Sequence, residues 1–225
     1  LVNSKNLDGI NIDFEYVGDP DEATRNGFTE LITKLNQELK RQIPDSNLSI
    51  DTYLVSGGRF DLFDIQALSE NLDHFVIMGY DMHTPNGDAG PVAAMGGEAN
   101  VITYVQNYLE KVEPEKLILA VPYYGYDWPD NNSTDAGVKI LPYAEIAESS
   151  KKLRINWNEL SQTPFYSYNE DGVLRTVHFD NVRSLAIKYD FINREELAGV
   201  GIWALGYDGY SLDLEKLIID KFINL

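Results

Sequence analysis

Cysteine is absent from the 225 residues. Its absence excludes a disulfide framework, a thiol nucleophile and a thiolate metal site, and it leaves the compartment open. Basic residues are scarce, 18 Lys and Arg against 36 Asp and Glu, for a net charge of −18. A field of that sign repels phosphate backbones and anionic lipid surfaces, so neither nucleic acid nor a membrane surface is expected as a partner. A neutral polymer meets no such long-range cost. No apolar run approaches the roughly 18 residues of a membrane span. The three histidines, His74, His83 and His178, lack metal-ligand spacing. The pairs Gly57-Gly58 and Gly96-Gly97 read as turns rather than phosphate loops, so neither metal nor cofactor is expected. Residues 1–5 have no basic stretch followed by an apolar one, as a signal peptide would, and no initiator Met. The chain is therefore expected to be processed or cut from something longer.

What is present suits a folded chain. Hydrophobic residues at 44% and charged residues at 24% are an ordinary globular balance. A chain of this length buries roughly 70% of its unfolded surface without staples. Residues 7–16 (LDGINIDFEY) alternate apolar and polar side chains with the strand period of two. Asp19-Pro20-Asp21-Glu22 then opens a helix carrying Phe28, Leu31, Ile32, Leu35 and Leu39 at helical spacing to about Gln42. Strands are expected over 48–55, 73–82, 117–124 and 199–205, and helices over 60–69, 98–112, 181–189 and 212–222. The runs at 73–82 and 117–124 are nearly continuous, the mark of strands covered on both faces. Between them and the last strand lies an excursion, about 127–177, rich in Asn, Ser and Asp at its start. It is expected to hold a helix near 143–151 and a small hairpin turning at Asn169-Glu170-Asp171-Gly172. Alternating strands and helices argue for a parallel α/β sheet in one domain, 1–225.

Asn11, Asp13 and Glu15 fall on one side of the first strand, because strand side chains alternate. Asp and Asn are poor strand residues, and gathering them on one face is costly unless something uses them. A solvated edge strand or a structural ion-pair network would account for the pattern. So would a catalytic site, where carboxylates with altered proton affinity concentrate.

The stretch Asp8-Gly9-Ile10-Asn11-Ile12-Asp13-Phe14-Glu15 resembles the DxxDxDxE signature of glycoside hydrolase family 18, the chitinase family. Three further stretches are similar to that family's motifs in the same order. They are Met78-Gly79-Tyr80-Asp81, Val121-Pro122-Tyr123-Tyr124-Gly125 and Gly201-Ile202-Trp203. The resemblance implies a (β/α)8 TIM barrel of which this chain holds strands four to eight, with a small insertion before strand eight. Two positions depart from the pattern: Asn11 stands where the family usually has the middle Asp, and Phe14 replaces a common Trp or Tyr.

The resemblance also implies a chemistry. Most glycosidases use two enzymic carboxylates, but this family is among the substrate-assisted exceptions. Glu15 would be the general acid that protonates the leaving oxygen. The substrate's own N-acetyl oxygen would be the nucleophile, with Asp13 orienting the acetamido N–H and Tyr80 holding its oxygen. Asn11, Asp81, Met78, Tyr124 and Trp203 would line the sugar site, with the Trp203 ring stacked under the sugar. A general acid working near neutral pH must hold its proton, and Asp13 two positions away presses in that direction. Asn11 can donate a hydrogen bond to Asp13 but cannot carry a titrating proton. Asp13 is therefore expected to be more permanently anionic than in the usual pattern.

The implied partner is an N-acetylglucosamine-containing polysaccharide, first chitin or chito-oligosaccharide, cleaved at β-1,4 bonds outside the cell or in its envelope. The same residues would serve peptidoglycan or N-glycan cores. A carbohydrate-binding relative without turnover is the rival from another class, although such proteins typically lose the acid that Glu15 provides. Tyr80 and Trp203 as single positions also fit plain core roles. Oligomeric state is not legible.

Overall fold

The computed structural model describes residues 2–16, 18–130 and 137–223. After a short helix α1 (Val2–Lys5), strand β1 (Gly9–Ile12) leads to helix α2 (Glu22–Gln42), β2 (Asn47–Tyr53), α3 (Ile65–Ser69) and β3 (His74–Met78). Helix α4 (Val101–Leu109), β4 (Leu117–Pro122), β5 (Tyr124–Pro129), β6 (Lys139–Pro142) and α5 (Tyr143–Ser150) follow. The chain continues through β7 (Asn156–Asn158), β8 (Thr163–Glu170), β9 (Val173–Phe179), α6 (Val182–Arg194), β10 (Gly199–Trp203) and α7 (Leu212–Ile218). One sheet has the order β1-β2-β3-β4-β10, and a second has the order β6-β5-β9-β8-β7. The β1–β2 and β2–β3 pairs are parallel. The residues group into two compact units, Leu1–Met78 with Thr103–Leu119 and Glu195–Gly199, and Gly79–Ile102 with Ala120–Arg194 and Val200–Leu225.

In the first unit, α2 is set by its ends. Asp21 accepts a hydrogen bond from the Thr24 N–H at 2.8 Å, Glu22 faces the positive end of the helix dipole, and Lys40 and Arg41 sit at the negative end. Its apolar stripe buries Phe28, Ile32 and Leu39, each contributing roughly 1.5–3 kcal/mol. Leu31, in phase with them, is instead 48% exposed. The helix ends in a tether: Lys40 pairs with Asp73 at 3.1 Å, and Asp73 accepts the Leu48 N–H at 2.7 Å. Strand β2 alternates, with Leu48, Ile50 and Thr52 buried and Asn47, Ser49, Asp51 and Tyr53 on the other face. Strand β3 does the same, burying Phe75 and Ile77 and leaving His74, Val76 and Met78 half-buried. The continuous run read as covered on both faces is thus packed on one. Its second face shares the polar side of β2, where Asn47 meets His74 at 3.2 Å.

The strand read over 73–82 ends at Met78, and two others differ further from their sequence reading. The first ends at Ile12, so Asp13 to Tyr16 leave the ladder, and the Tyr16 N–H bonds back to the Phe14 carbonyl at 3.0 Å. That is a three-residue turn of the kind common at strand ends. The run 117–124 is two strands. Pro122 has no N–H to continue the ladder. Tyr123 gives its N–H to the Trp203 carbonyl at 2.7 Å and accepts the Tyr143 N–H at 2.8 Å, so the chain leaves one sheet for the other at this residue.

In the second unit the excursion is larger than a helix and hairpin. Helix α5 lies where the spacing predicts it, and β8 and β9 turn at residues 169–172. Around them stands a five-stranded antiparallel sheet that begins at Tyr124. Its interior carries a fully buried ion pair, Arg175 Nε to Asp127 Oδ1 at 3.0 Å, capped by the Tyr168 hydroxyl at 2.7 Å. A second buried pair joins Lys188 to Asp180 at 2.6 Å. The Asn- and Ser-rich start of the excursion, residues 131–136, lies outside the described residues.

Candidate functional site

The carboxylate cluster is built by the register of two strands. Gly9 pairs with Asn47, Ile10 with Leu48 and Asn11 with Ser49. The first pairing admits only glycine, because a Cβ at position 9 would lie 2.0 Å from the Asn47 carbonyl oxygen. With the strands that close, the Asn11 side-chain amide donates to Ser49 Oγ at 3.0 Å and to Asp51 Oδ1 at 3.0 Å. Both amide hydrogens are therefore engaged on β2, and the expected bond from Asn11 to Asp13 is replaced by one to Asp51. The reason is local: Asp13 has left the ladder, whereas Asp51 sits two residues beyond the Asn11 partner on the same face.

Asp13 and Glu15 are exposed just past the end of β1, and Glu15 is the central residue of the turn closed by Tyr16. Phe14 packs on Phe28 with ring centroids 5.6 Å apart, and Phe28 packs on Phe63 at the same distance. That aromatic contact anchors the segment bearing the two acids. The Tyr53 hydroxyl donates to the Tyr16 carbonyl at 3.3 Å and closes the segment from the other side. Asp51 is half-buried, and burial pushes its carboxyl above the ordinary 3.8. The Asn11 hydrogen bond opposes that rise, and the charges of Asp13 and Glu15 add to it. The Tyr53 phenol is raised by burial and by the charges of Glu15, Asp13 and Asp61.

Asp51 did not figure among the sequence candidates. The signal was there, because Asn47, Ser49, Asp51 and Tyr53 repeat with period two, as Asn11, Asp13 and Glu15 do.

Met78 belongs to the first unit, and the second holds Tyr80, Asp81, Tyr124 and Trp203. Met78 closes β3, and the Gly79 N–H beyond it bonds the Ala120 carbonyl at 2.9 Å. Asp81 adopts a left-handed backbone with φ 57°, a region that Asp tolerates better than most residues. Its Oδ1 accepts the hydroxyls of both Tyr124 and Tyr126, the latter at 2.7 Å. Tyr124, Tyr126 and Trp128 are each 4% exposed and form a core cluster with Val92, against which Tyr80 and Tyr207 pack. The rings meet edge to face, Tyr80 on Tyr124 at 6.0 Å and Tyr124 on Tyr126 at 5.4 Å. Burial first, then the adjoining Asp81 carboxylate, raise the Tyr124 and Tyr126 phenols far above their ordinary range, so both stay proton donors.

The structure thus brings Tyr80, Asp81 and Tyr124 together and makes Tyr124 a buried support for Asp81. Trp203 stands at the end of β10, 53% exposed. Tyr126 joins this group through Asp81, a role that period-two spacing alone does not distinguish from core packing. Among the described residues no cluster of His, Cys, Asp and Glu has metal-binding geometry, and no helix is long and apolar enough to cross a membrane.

Comparison with known proteins gives the family of the chain. Residues 1–208 match the family Glycosyl hydrolases family 18. The chain is 26% identical to the di-N-acetylchitobiase of Rattus norvegicus, covering 95% of this chain and 64% of that protein. It is 26% identical to the cortical fragment-lytic enzyme of Bacillus anthracis, covering 94% of this chain and 50% of the relative. It therefore spans less than two thirds of the length of these curated relatives. Among solved structures, the C-terminal domain of a putative chitinase from Desulfitobacterium hafniense superposes with a TM-score of 0.83 and 28% identity. That match covers 98% of this chain and 69% of the other. With four motifs in family order and a match along nearly its whole length, the chain belongs to glycoside hydrolase family 18.

Proposed function

We propose that the chain is the catalytic segment of a retaining, substrate-assisted glycosidase that cleaves β-1,4 bonds next to N-acetylglucosamine. Its place in the barrel would be strands four to eight of a (β/α)8 fold, in a single domain interrupted by the excursion at about 127–177. The observation that carries the reading is the pair of exposed acids, Asp13 and Glu15, just past the end of β1 and coupled to a third carboxylate on β2. Asp127 and Asp180, by contrast, are buried and paired with cations.

Glu15 would give its proton to the glycosidic oxygen as the bond to the anomeric carbon breaks. The carbonyl oxygen of the substrate's acetamido group would form the new bond to that carbon, giving an oxazolinium ion. Asp13 would accept the acetamido N–H and balance the positive charge that develops. Tyr80 would donate to the acetamido oxygen, with Asp81 beside it held by Tyr124 and Tyr126. Water activated by Glu15, now a carboxylate, would open the ring and restore the acid with retained configuration. Asn11 would support the acids from β1, Met78 would line the pocket wall, and Trp203 would stack on the sugar. No step requires a cofactor.

Chitin fragments are the first substrate class, supported by the relative named a chitobiase. A cell-envelope glycan is the second, supported by the relatives named cortical fragment-lytic enzyme and sporulation-specific glycosylase. Both offer an acetamido group beside the bond, and the second would place the protein at the cell envelope or outside the cell. The test is hydrolysis of a fluorogenic N-acetylchito-oligosaccharide by the protein and by its Glu15→Gln variant. Loss of about 10²–10⁴-fold in the variant is expected. Equal turnover by the two proteins would remove Glu15 as the acid. Binding of the oligosaccharide with no turnover by either would replace the hydrolase reading with a lectin-like one.

A further inference from the structure

The antiparallel sheet of the second unit has a face that the candidate site does not use. Side chains alternate along β5, so Asp127 points away from the side that carries Tyr124, Tyr126 and Trp128. On that reverse side a core cluster of Ile146, Tyr166, Val177 and Phe179 joins helix α5 to the sheet. Leu141, Leu153 and Tyr168 pack against the cluster but are only partly buried, and a cavity of about 210 Å³ opens among them. That volume is below the roughly 300–1,000 Å³ of sites for drug-sized ligands, so its occupant is small.

Nearly every polar group that lines the cavity is already engaged. Asp127 holds Arg175 Nε through both oxygens at 3.0 Å and accepts the Tyr168 hydroxyl at 2.7 Å. The Tyr166 hydroxyl meets Ser149 Oγ at 2.9 Å, and Ser149 donates to the Ile146 carbonyl at 3.2 Å. Lys139 Nζ is held by both Glu170 oxygens, at 2.8 and 2.6 Å. Glu145, in the first turn of α5, is the exception: among the described residues its carboxylate makes no hydrogen bond or ion pair. With their hydroxyls engaged, Tyr166 and Tyr168 offer the cavity ring surface, their centroids 6.1 Å apart and their planes tilted by 45°. The cavity therefore presents two aromatic rings, two leucines and one uncompensated carboxylate.

We propose that this cavity binds a small organic cation, an ammonium group carried on a compact ring, with Glu145 as its counter-charge. Aromatic rings attract a cation through their quadrupole, and the leucines take the body of the ligand out of water. The net charge of −18 adds a field that draws cations in and turns anions away. A neutral donor could hydrogen-bond to Glu145, but it gains neither the ring attraction nor the charge-assisted bond. Amino sugars and apolar ring amines share the required chemistry. The inference stands apart from the glycosidase reading, because the cavity lies behind the sheet face that carries Tyr124 and Tyr126.

The test is a ¹H–¹⁵N NMR titration of the intact chain at about pH 6, where aliphatic amines carry their proton. Glucosamine and cyclohexylammonium are the cationic probes, and glucose and cyclohexanol are their neutral counterparts. At least one cation should shift resonances in residues 139–153 and 163–170, binding about tenfold more tightly than its neutral counterpart. Binding of one cation alone upholds the proposal and tells whether the ligand body is a sugar or an apolar ring. Glu145 is exposed, so Glu145→Gln should fold as the parent does. It should weaken the cation about five- to tenfold and leave the neutral probe unchanged. Three results would each overturn the proposal. They are neutral probes that bind as tightly as the cations, shifts confined to the acid pair at Asp13 and Glu15, and a Glu145→Gln variant that binds the cation as the parent does.

Discussion

Two regions of this molecule treat buried carboxylates in opposite ways. In the antiparallel sheet, Asp127 is fully buried against Arg175, and the Tyr168 hydroxyl fills a further lone pair. On β2, Asp51 is half-buried against a neutral amide with two more acids acting on it. The first arrangement neutralises a charge and ties three strands together. The second leaves charge uncompensated, which costs stability and makes proton affinity adjustable.

Breaking the paired region should have the largest effect. Arg175→Met leaves Asp127 buried without its cation, and a loss of about 3–5 kcal/mol is expected in urea unfolding. The double variant Arg175→Met/Asp127→Leu, which removes both charges, should lose much less. If the single and double variants unfold together, the pair is not what holds the sheet.

The next effect appears on acidification, again in the antiparallel sheet. His178 stacks on Phe165 and lies edge-on to Trp128. Burial, and then His83, push it down from 6.5 to about 4. A histidine with a depressed folded value contributes stability above 6.5 that disappears as pH falls toward 4. About 3 kcal/mol is expected over that window. His178→Gln should flatten the slope, as read from denaturant midpoints at stepped pH.

A smaller change should follow Tyr126→Phe, which removes one of the two hydroxyls on Asp81. Hydrogen bonds to charged groups suggest about 1–2 kcal/mol, with kcat falling more than KM changes if Asp81 is displaced. Loss of stability with untouched kinetics would make Tyr126 a core residue only.

For Asp51 the sign reverses relative to His178. Its folded value is raised, so its contribution is fully present below the ordinary 3.8 and is lost as pH rises through the folded value. Asp51→Asn should therefore be more stable than the parent at neutral pH, with the two curves converging in acid. A variant that is less stable at neutral pH would contradict the uncompensated-charge account.

The smallest effect is expected on the surface of α2. Arg41 and Gln42 hold the Glu38 carboxyl down to about 2, yet the group is fully exposed. Surface ion pairs contribute little because water and salt screen them. Glu38→Gln should leave the unfolding midpoint unchanged in 0.15 M salt.

Much of this was legible beforehand. The period-two and helical patterns located the parallel strands and the main helices, and the four motifs stand in the order in which the chain is read. What failed, failed for identifiable reasons. Residues 7–16 alternate to the end, but alternation reports side-chain phase and says nothing about where pairing stops, and the ladder stops at Ile12. The run 117–124 is apolar throughout, so nothing in its hydropathy marks Tyr123 as the point where the chain changes sheets. Leu31 fits the apolar stripe of α2 and is nonetheless 48% exposed, because a stripe's width is decided by what packs against it.

The carboxylates themselves divide the same way. The sequence alone determined that Asp13 and Glu15 stand two residues apart in a family signature, because spacing along a strand is covalent. The partners of those acids were decided by the tertiary structure. Asn11 meets Asp51 across 40 residues of chain, and that meeting depends on register. A slip of one residue would turn Asp51 to the buried face. That register fits the position of Gly9, where a Cβ would lie 2.0 Å from the Asn47 carbonyl oxygen, and the burial of Leu48, Ile50 and Thr52 on the opposite face. Packing over both strands selected it, and no local pattern in either strand carries that information.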